Sequence, residues 1–469
     1  MNKREFLKKA GLGLAAGGAS ASASPSAGED LLETLAFSKR SRPPLFNMSG
    51  YAAPPLDTVR IAFIGVGNRG FSALKRITNI GKVEITSIAD IAADKLDQAK
   101  DFLAGTSHDP ETITGSGDAW KRAIEREDVD LVYICTPWSL HAPMALHAME
   151  HGKHVAVEIP AAMSLAECWA LVETSERTRR HCVMLENCCY GFFELLTLNL
   201  ARQNYFGEIV HVEGAYIHDV FESLFDRNRR SDLWKLKEHQ RNANVYPTHG
   251  LGPVSQILNI NRGDQYDYLV SMAGDDFMIG KRVEELAARD PSYAEFKGHR
   301  YGGNMNTTTI RTKRGRTILL QHDETSPRVY SRTHLISGTA GSALQYPLPG
   351  RISKGNAWLS ESEIKELEQQ FAPPIVKRIG EVASKIGGHG GMDFLMDWRL
   401  IDCLRNGLPM DMDVYDAAAW SSIIPLSEWS VAHRSSSIDV PDFTGGAWNT
   451  NAPVDISMTK GGDTPVILR

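Results

Sequence analysis

From Thr58 onward, short apolar runs alternate with longer amphipathic stretches. Residues 59–64 are mostly apolar and rich in β-branched side chains, which predicts a short buried strand. A glycine-rich loop follows, then a helical stretch over 71–80. Strands are expected over 83–90, 129–135 and 154–158, and helices over 94–103, 119–127 and 143–151. Strands alternating with helices predict a parallel sheet covered on both faces. After about Ala161 the alternation loosens. Helices over 165–179 and 194–204 give way to strands over 209–217, 266–273, 307–312, 317–323 and 334–338. These predict a second, α+β domain built on an open mixed sheet. Residues 360–370 read as a charged surface helix, and Pro373 and Pro374 interrupt any helix there. Residues 387–391 form a glycine-rich turn, followed by a helix to about Arg405.

The first residues have a different texture. A basic stretch over 1–9 precedes a Gly/Ala-rich one, and small-residue cleavage patterns follow at Ala19-Ser20-Ala21 and Ala21-Ser22-Ala23. This is the layout of an export leader, expected over 1–31. Lys3-Arg4-Glu5-Phe6-Leu7-Lys8 resembles a twin-arginine signal with Lys in the first Arg position, which points to the periplasm; a non-functional leader would leave the protein cytoplasmic. Residues 32–57 read as a linker rather than core. The expected domains are then 58–180 and 181–469.

Composition narrows the function classes. The chain has 469 residues, 42% hydrophobic and 23% charged, with net charge −6 and no long like-charge run. A nucleic-acid partner is not expected, because phosphate binding needs a concentrated basic surface. No apolar run is long enough to span a membrane. The six cysteines form no C-x-x-C pair. Cys182, Cys188 and Cys189 read as buried apolar thiols, and no metal is expected.

The loop Gly65-Val66-Gly67-Asn68-Arg69-Gly70 sits directly after a strand and before a helix, where a dinucleotide-binding loop must sit. Gly65 permits the tight turn, Gly67 lets a diphosphate approach the backbone, and Gly70 lets helix and strand pack closely. The helix N-terminus supplies N–H groups and a favourable dipole. Asp90 ends the next strand, about 20 residues on, where a carboxylate binds ribose hydroxyls and repels a 2′-phosphate. The first domain is therefore expected to be a Rossmann domain binding NAD. Arg69 is the one residue of the loop suited to a 2′-phosphate instead.

Two further segments are more specific. Thr136-Pro137-Trp138-Ser139-Leu140-His141 follows a strand, and Gly152-Lys153-His154-Val155-Ala156-Val157-Glu158-Ile159-Pro160 follows a helix. Together they resemble the Gfo/Idh/MocA oxidoreductases, which act on sugars and polyols with a nicotinamide cofactor. That family normally has Glu-Lys-Pro where this chain has Glu158-Ile159-Pro160, and an apolar Ile cannot move a proton. Glu186-Asn187-Cys188-Cys189-Tyr190, Tyr246-Pro247-Thr248-His249-Gly250-Leu251-Gly252-Pro253, Asn261-Arg262-Gly263-Asp264, Gly388-His389-Gly390-Gly391-Met392-Asp393 and Pro425-Leu426-Ser427-Glu428 resemble the glycoside hydrolase family 109 branch. The resemblance covers about residues 59–445.

The resemblance implies NAD contacts at Asn68, Arg69, Asp90, Trp138, Ser139, Leu140, His141, Glu158, Ile159 and Asn187. It implies sugar contacts at Tyr216, Tyr246, Pro247, Thr248, His249 and Tyr330. Lys235 follows Trp234 where family members carry Arg, so a planar fork is replaced by a point charge. It also implies a glycosidase with bound, recycled NAD, acting on α-N-acetylgalactosaminides or related glycosides. The sugar is oxidised at C3, the C1 group is eliminated against C2, water adds and the sugar is re-reduced. Tyr246 and His249 are the expected acid–base pair, with Tyr190, Tyr216 and Tyr330 positioning hydroxyls. A dimer through the open sheet is a family-level expectation. The competing reading is a sugar or polyol dehydrogenase with net hydride transfer.

Overall fold

The computed structural model describes residues 27–115, 117–228 and 232–468. Residues 1–26, most of the expected leader, lie outside them. Helix α1 (Ala27–Ser38) precedes the first sheet. That sheet contains β1 (Val59–Ile64), β2 (Val83–Asp90), β3 (Glu111–Thr114), β4 (Leu131–Ile134), β5 (His154–Val157) and β6 (Cys182–Met184). Their order is β3-β2-β1-β4-β5-β6, and every pairing is parallel. The helices between them are α2 (Asn68–Ile77), α3 (Ala93–Leu103), α4 (Ala119–Ile124), α5 (His141–Glu150) and α6 (Leu165–Thr178). Central strands β4 and β5 are wholly buried, as near-continuous apolar runs require. Helix α6 starts on a capping box, with Ser164 and Glu167 each bonding the other's backbone N–H. This is the expected doubly wound domain, but β6 carries it past residue 180. Strands β3 and β6, of four and three residues, are too short to leave a periodic signal.

The second sheet has nine strands, in the order β14-β13-β12-β11-β7-β10-β9-β8-β15. The long strands are β7 (Ile209–Ile217), β8 (Tyr266–Ala273), β9 (Asn306–Thr312) and β10 (Thr317–Asp323). β11 (His334–Gly338), β12 (Gly341–Gln345), β13 (Arg351–Lys354), β14 (Ala357–Trp358) and β15 (Ile438–Asp439) complete it. β7 and β10 pair parallel and the remaining described pairs antiparallel, so the sheet is mixed as expected. Its helices are α7 (Phe192–Arg202), α8 (Trp234–Glu238), α9 (Thr248–Ile257), α10 (Ile279–Ala287), α11 (Glu361–Phe371), α12 (Pro374–Ile386), α13 (Met392–Asn406), α14 (Val414–Ser421) and α15 (Ile423–Ala432).

Helix α9 is not legible in the pattern, because Gly250, Gly252 and Pro253 read as breakers. Packing requires them instead. A Cβ on Gly250 would lie 2.3 Å from the Ala215 nitrogen of β7, and one on Gly214 2.3 Å from the Gly250 carbonyl. Helix and strand backbones therefore touch, which only glycine permits. Pro374 does not merely interrupt; it occupies the first turn of α12, where its missing N–H costs nothing.

Residues 32–57 are not a linker. Helix α1 lies against α6, α15 and β15. Arg42 pairs with Glu173 at 3.1 Å and Glu176 at 2.8 Å, and Met48 and Ala53 are buried. Scattered apolar residues here, Leu35, Phe37 and Phe46 among them, find a surface to cover that no local periodicity reveals.

Helix α13, far along the chain, packs on α2 and β1 of the first sheet. Buried Arg76 on α2 donates to Asp397 on α13 at 2.7 Å, and the Tyr133 hydroxyl of β4 donates to the same carboxylate at 2.7 Å. Removing one partner strands a charge away from water. We expect Asp397→Asn to destabilise the protein by about 3–5 kcal/mol, read as a lowered Tm, with the double replacement Arg76→Met/Asp397→Leu recovering part of the loss.

Candidate functional site

The glycine loop closes as its spacing predicts. Gly65 has φ +87°, and a Cβ there would meet the Cys135 carbonyl at 2.8 Å. A Cβ on Gly70 would lie 2.0 Å from the Gly65 carbonyl, so α2 presses on the loop. A Cβ on Gly67 would meet nothing within 4 Å. That open side, at the start of a helix with no side-chain cap, suits a diphosphate. Asp90 accepts the Val66 N–H at 2.7 Å and the Ala92 N–H at 2.9 Å, so it also fixes the loop. Arg69 does not stand free for a 2′-phosphate. Its guanidinium donates to Glu158 at 2.5 Å and Asp393 at 2.9 Å. These features fit NAD.

Asp393 collects further partners: Asn187 donates to it, and His389 Nδ1 lies 2.9 Å away. Burial alone would raise the Asp393 pKa, but His389, Arg69 and Arg76 hold it well below the usual carboxylate range. The turn Trp138–Leu140 follows β4, with Trp138 buried and Ser139 and Leu140 exposed beside the loop. His141 differs from expectation. It is buried, and its Nδ1 and Nε2 each lie 2.7 Å from a carbonyl, of Pro160 and Thr136. Burial lowers its pKa while the two carbonyls oppose that shift, so it is a buried brace between two loops rather than an exposed contact. Ile159 is buried, in keeping with its apolar side chain.

An aromatic cleft adjoins this loop. Tyr246 stacks on Trp138 at 5.5 Å between centroids, and Tyr216 lies 4.7 Å from Tyr246. The His249 ring is 5.0 Å from Tyr246 and 5.2 Å from Tyr216. Tyr330 closes the far side, 6.3 Å from Tyr216 and 5.0 Å from His218. Tyr246 and His249 thus converge from one turn, seated by the contact of α9 with β7. The loop before Tyr246 is pinned by Arg241 to Glu428 at 2.9 Å and by the Asn244 N–H to Ser427 at 3.0 Å. Thr248 is buried at the start of α9, behind the cleft wall, and Pro247 caps that helix. Burial, with Tyr216 adjacent, raises the Tyr246 pKa well above its usual value; burial raises Tyr216 and Tyr330 likewise.

Three carboxylates and an arginine were not singled out in the sequence. Fully buried Glu186 lies 2.7 Å from His249 Nδ1. Fully buried Glu324 pairs with Lys235 and lies 3.2 Å from His239 Nε2. Lys235 Nζ also sits 5.3 Å from the Tyr246 ring centroid, so its charge lies beneath the cleft wall. Glu194 pairs with Arg332, which donates to the Tyr346 hydroxyl at 2.6 Å, beside Tyr330. Glu186 lay within a quoted motif; Glu194, Glu324 and Arg332 carried no local signal. Tyr190, expected to position the sugar, instead donates to Asp411 at 3.0 Å, in a separate buried cluster with Arg399. Arg262 and Asp264 are structural too. Arg262 holds Asp413 and Asp416 at 2.8 and 2.6 Å, and Asp264 accepts from Thr312 at 2.7 Å. The Cys188 thiol lies close to Glu186 and His249, but burial raises its pKa well above the usual value and keeps it neutral.

Residues 190–450 match the family described as glycosyl hydrolase 109, C-terminal domain, and residues 59–186 match the oxidoreductase family with NAD-binding Rossmann fold. An alpha-N-acetylgalactosaminidase of Bacteroides fragilis is 47% identical over 406 residues, covering 85% of this chain and 95% of that protein. A glycosyl hydrolase family 109 protein of Shewanella pealeana is 42% identical over 466 residues, covering 98% and 100%. Among solved structures, levoglucosan dehydrogenase in complex with NADH and levoglucosan superposes with TM-score 0.60 at 16% identity, over 82% of this chain and all of that one. Apo scyllo-inositol dehydrogenase from Lactobacillus casei gives TM-score 0.57 at 12% identity, over 82% and 98%. These two share the fold.

The loop geometry separates two glycines. Gly67→Ala is expected to leave the Tm of the NAD-free protein unchanged while lowering NAD affinity on the order of tenfold, about 1.4 kcal/mol, by isothermal titration. Gly70→Ala is expected to cost about 1–3 kcal/mol of stability through overpacking, seen as a lowered Tm with or without NAD.

Proposed function

The chain belongs to glycosyl hydrolase family 109, and we propose that it hydrolyses α-N-acetylgalactosaminides, or glycosides close to them, with one bound NAD that is recycled in place. The observation that carries this reading is the convergence of Tyr246 and His249 on Trp138, with Ile159 rather than a lysine in the segment just after β5. When bound, NAD would supply a hydride acceptor and donor, so a sugar oxidised at C3 becomes acidic at C2, loses the C2 proton and its C1 group, takes up water across C1 and C2 and is re-reduced without net oxidation.

The side chains supply the proton movements. Tyr246 presents a hydroxyl that is protonated at neutral pH, the kind of group that can donate a proton. His249 has Nδ1 engaged by Glu186, leaving Nε2 to meet the sugar as a base. The Tyr216 hydroxyl is paired with His218 Nδ1 at 2.8 Å, and Tyr330 stands opposite, so hydroxyl positioning falls to these two. Lys235 keeps a positive charge under the Trp138 and Tyr246 rings, in place of an arginine fork. The name of the Bacteroides relative supports the choice of sugar.

Export through a twin-arginine-like leader belongs to the same reading. A recycled cofactor needs no supply outside the cytoplasm, and that route carries folded proteins. Immunoblots of fractionated cells should place a shortened chain in the periplasm; a full-length chain confined to the cytoplasm would refute export.

Purified protein should release the aryl group from an aryl α-N-acetylgalactosaminide with no rise in NADH absorbance. Tyr246→Phe and His249→Ala should each lower kcat by about 10²–10⁴-fold. Steady NADH formation from free sugars and added NAD, without aryl release, would establish a dehydrogenase instead.

A further inference from the structure

We propose that Glu186 is the positioning residue of His249, holding one tautomer of the imidazole and strengthening it as a base. The proposal rests on the glycosidase reading above for its catalytic meaning and on geometry for the rest.

Glu186 lies two residues past the end of β6 and caps the turn Asn187–Tyr190. Its Oε1 accepts the Cys188 N–H at 3.0 Å and faces His249 Nδ1 at 2.7 Å. The residue is fully buried, and among the described residues its ion-pair partner is His249. A carboxylate kept out of water without a lysine or arginine beside it is costly, and a protonatable imidazole is the partner that offsets the cost. The site is shaped for it: a Cβ on Gly252 of α9 would lie 2.9 Å from Glu186 Cγ and 3.1 Å from Cys189 Sγ. Gly250 seats the helix on β7, and Gly252, two residues on, makes room for the carboxylate.

The chemistry follows from the acceptor. A carboxylate at Nδ1 requires the hydrogen there, so the Nε2 lone pair is the one left for substrate. When Nε2 takes a proton, the resulting imidazolium lies against the carboxylate in a dry environment, where their attraction is strong. Burial pushes the Glu186 pKa up, but His249, with Thr248 and the Cys188 N–H, more than offsets this and leaves it below the usual value, so the carboxylate stays ionised. The other groups facing His249 are Tyr216 and Tyr246 with raised pKa values, the neutral Cys188 thiol, and His218, whose pKa burial lowers. None of them supplies a second negative charge at neutral pH.

The test compares full-length, NAD-loaded parent protein with Glu186→Gln and Glu186→Asp. Glu186→Gln keeps shape and acceptor but loses the charge. It should lower kcat by about 10²-fold or more with little change in KM. The acid limb of its pH profile should move to lower pH by about one unit, because the imidazolium loses its counter-charge. Glu186→Asp should restore part of kcat, and bound NAD and Tm should stay near the parent's. A Gln variant with parental kcat and an unmoved acid limb overturns the proposal. Nitrogen-15 spectra of histidine-labelled protein, with His249 assigned by its own replacement, give a readout that needs neither turnover nor a stable Glu186 variant. The parent should show the Nδ1–H tautomer at His249. An Nε2–H tautomer overturns the proposal even if glycosidase activity is present, whereas an Nδ1–H tautomer with no glycoside turned over sinks the functional reading alone.

Discussion

A ladder of buried charges holds the two domains in one register, and the site depends on it. Glu158 at the end of β5, Arg69 in the nucleotide loop, Asp393 and Asp397 on α13, Arg76 on α2 and the Tyr133 hydroxyl on β4 form a continuous chain of contacts. All but Arg69, whose side chain is 30% exposed, sit where water cannot serve them, so each needs its neighbour in place. Glycine loop, second-domain helix and strand end therefore cannot move independently without stranding a charge. Such pairs add little net stability compared with apolar packing, but they are exacting about geometry. The same ladder occupies Arg69, the group in the loop best suited to a 2′-phosphate.

Around that frame Tyr246 and His249 are placed by backbone contact rather than by side-chain packing. Helix α9 lies so close to β7 that Gly214 and Gly250 tolerate no side chain. This puts Tyr246 and His249 at the start of a rigid helix, against a wall of Trp138 and Tyr216. Behind the wall lie Glu186 and Glu324, each fully buried and each holding a cationic or protonatable partner. The cleft is thus lined by aromatic surface with its charges one layer back. Low polarity near those charges strengthens their effect on the groups in front.

Two departures, Ile159 from the wider oxidoreductase pattern and Lys235 from that of the family 109 branch, take on structural sense. Ile159 is buried, so a proton-transferring lysine at this strand end has been replaced by packing. Lys235 does not present a fork to solvent; it is committed to Glu324 and lies near the Trp138 and Tyr246 rings. On the proposed reading, proton handling is assigned to the Tyr246–His249 pair, beside which neither Ile159 nor Lys235 offers a free proton-transferring group.

The sequence by itself determined the order of strands and helices in the first domain, the glycine loop, the NAD preference implied by Asp90 and the Tyr-Pro-Thr-His turn. All of these are local: their physical causes act within a few residues, as apolar periodicity, turn geometry or a helix terminus. Tertiary structure decided what depends on distant partners. It folded residues 27–55 onto the core, made a helix of a Gly- and Pro-containing stretch because a neighbouring strand accepts close approach, and turned Tyr190 away to Asp411. It turned His141 into a brace and brought Glu186, Glu194, Glu324 and Arg332 into the walls of the site. A buried charge is defined by the group it meets, and for Glu186 that group lies 63 residues away in the chain, beyond the reach of any periodicity or spacing.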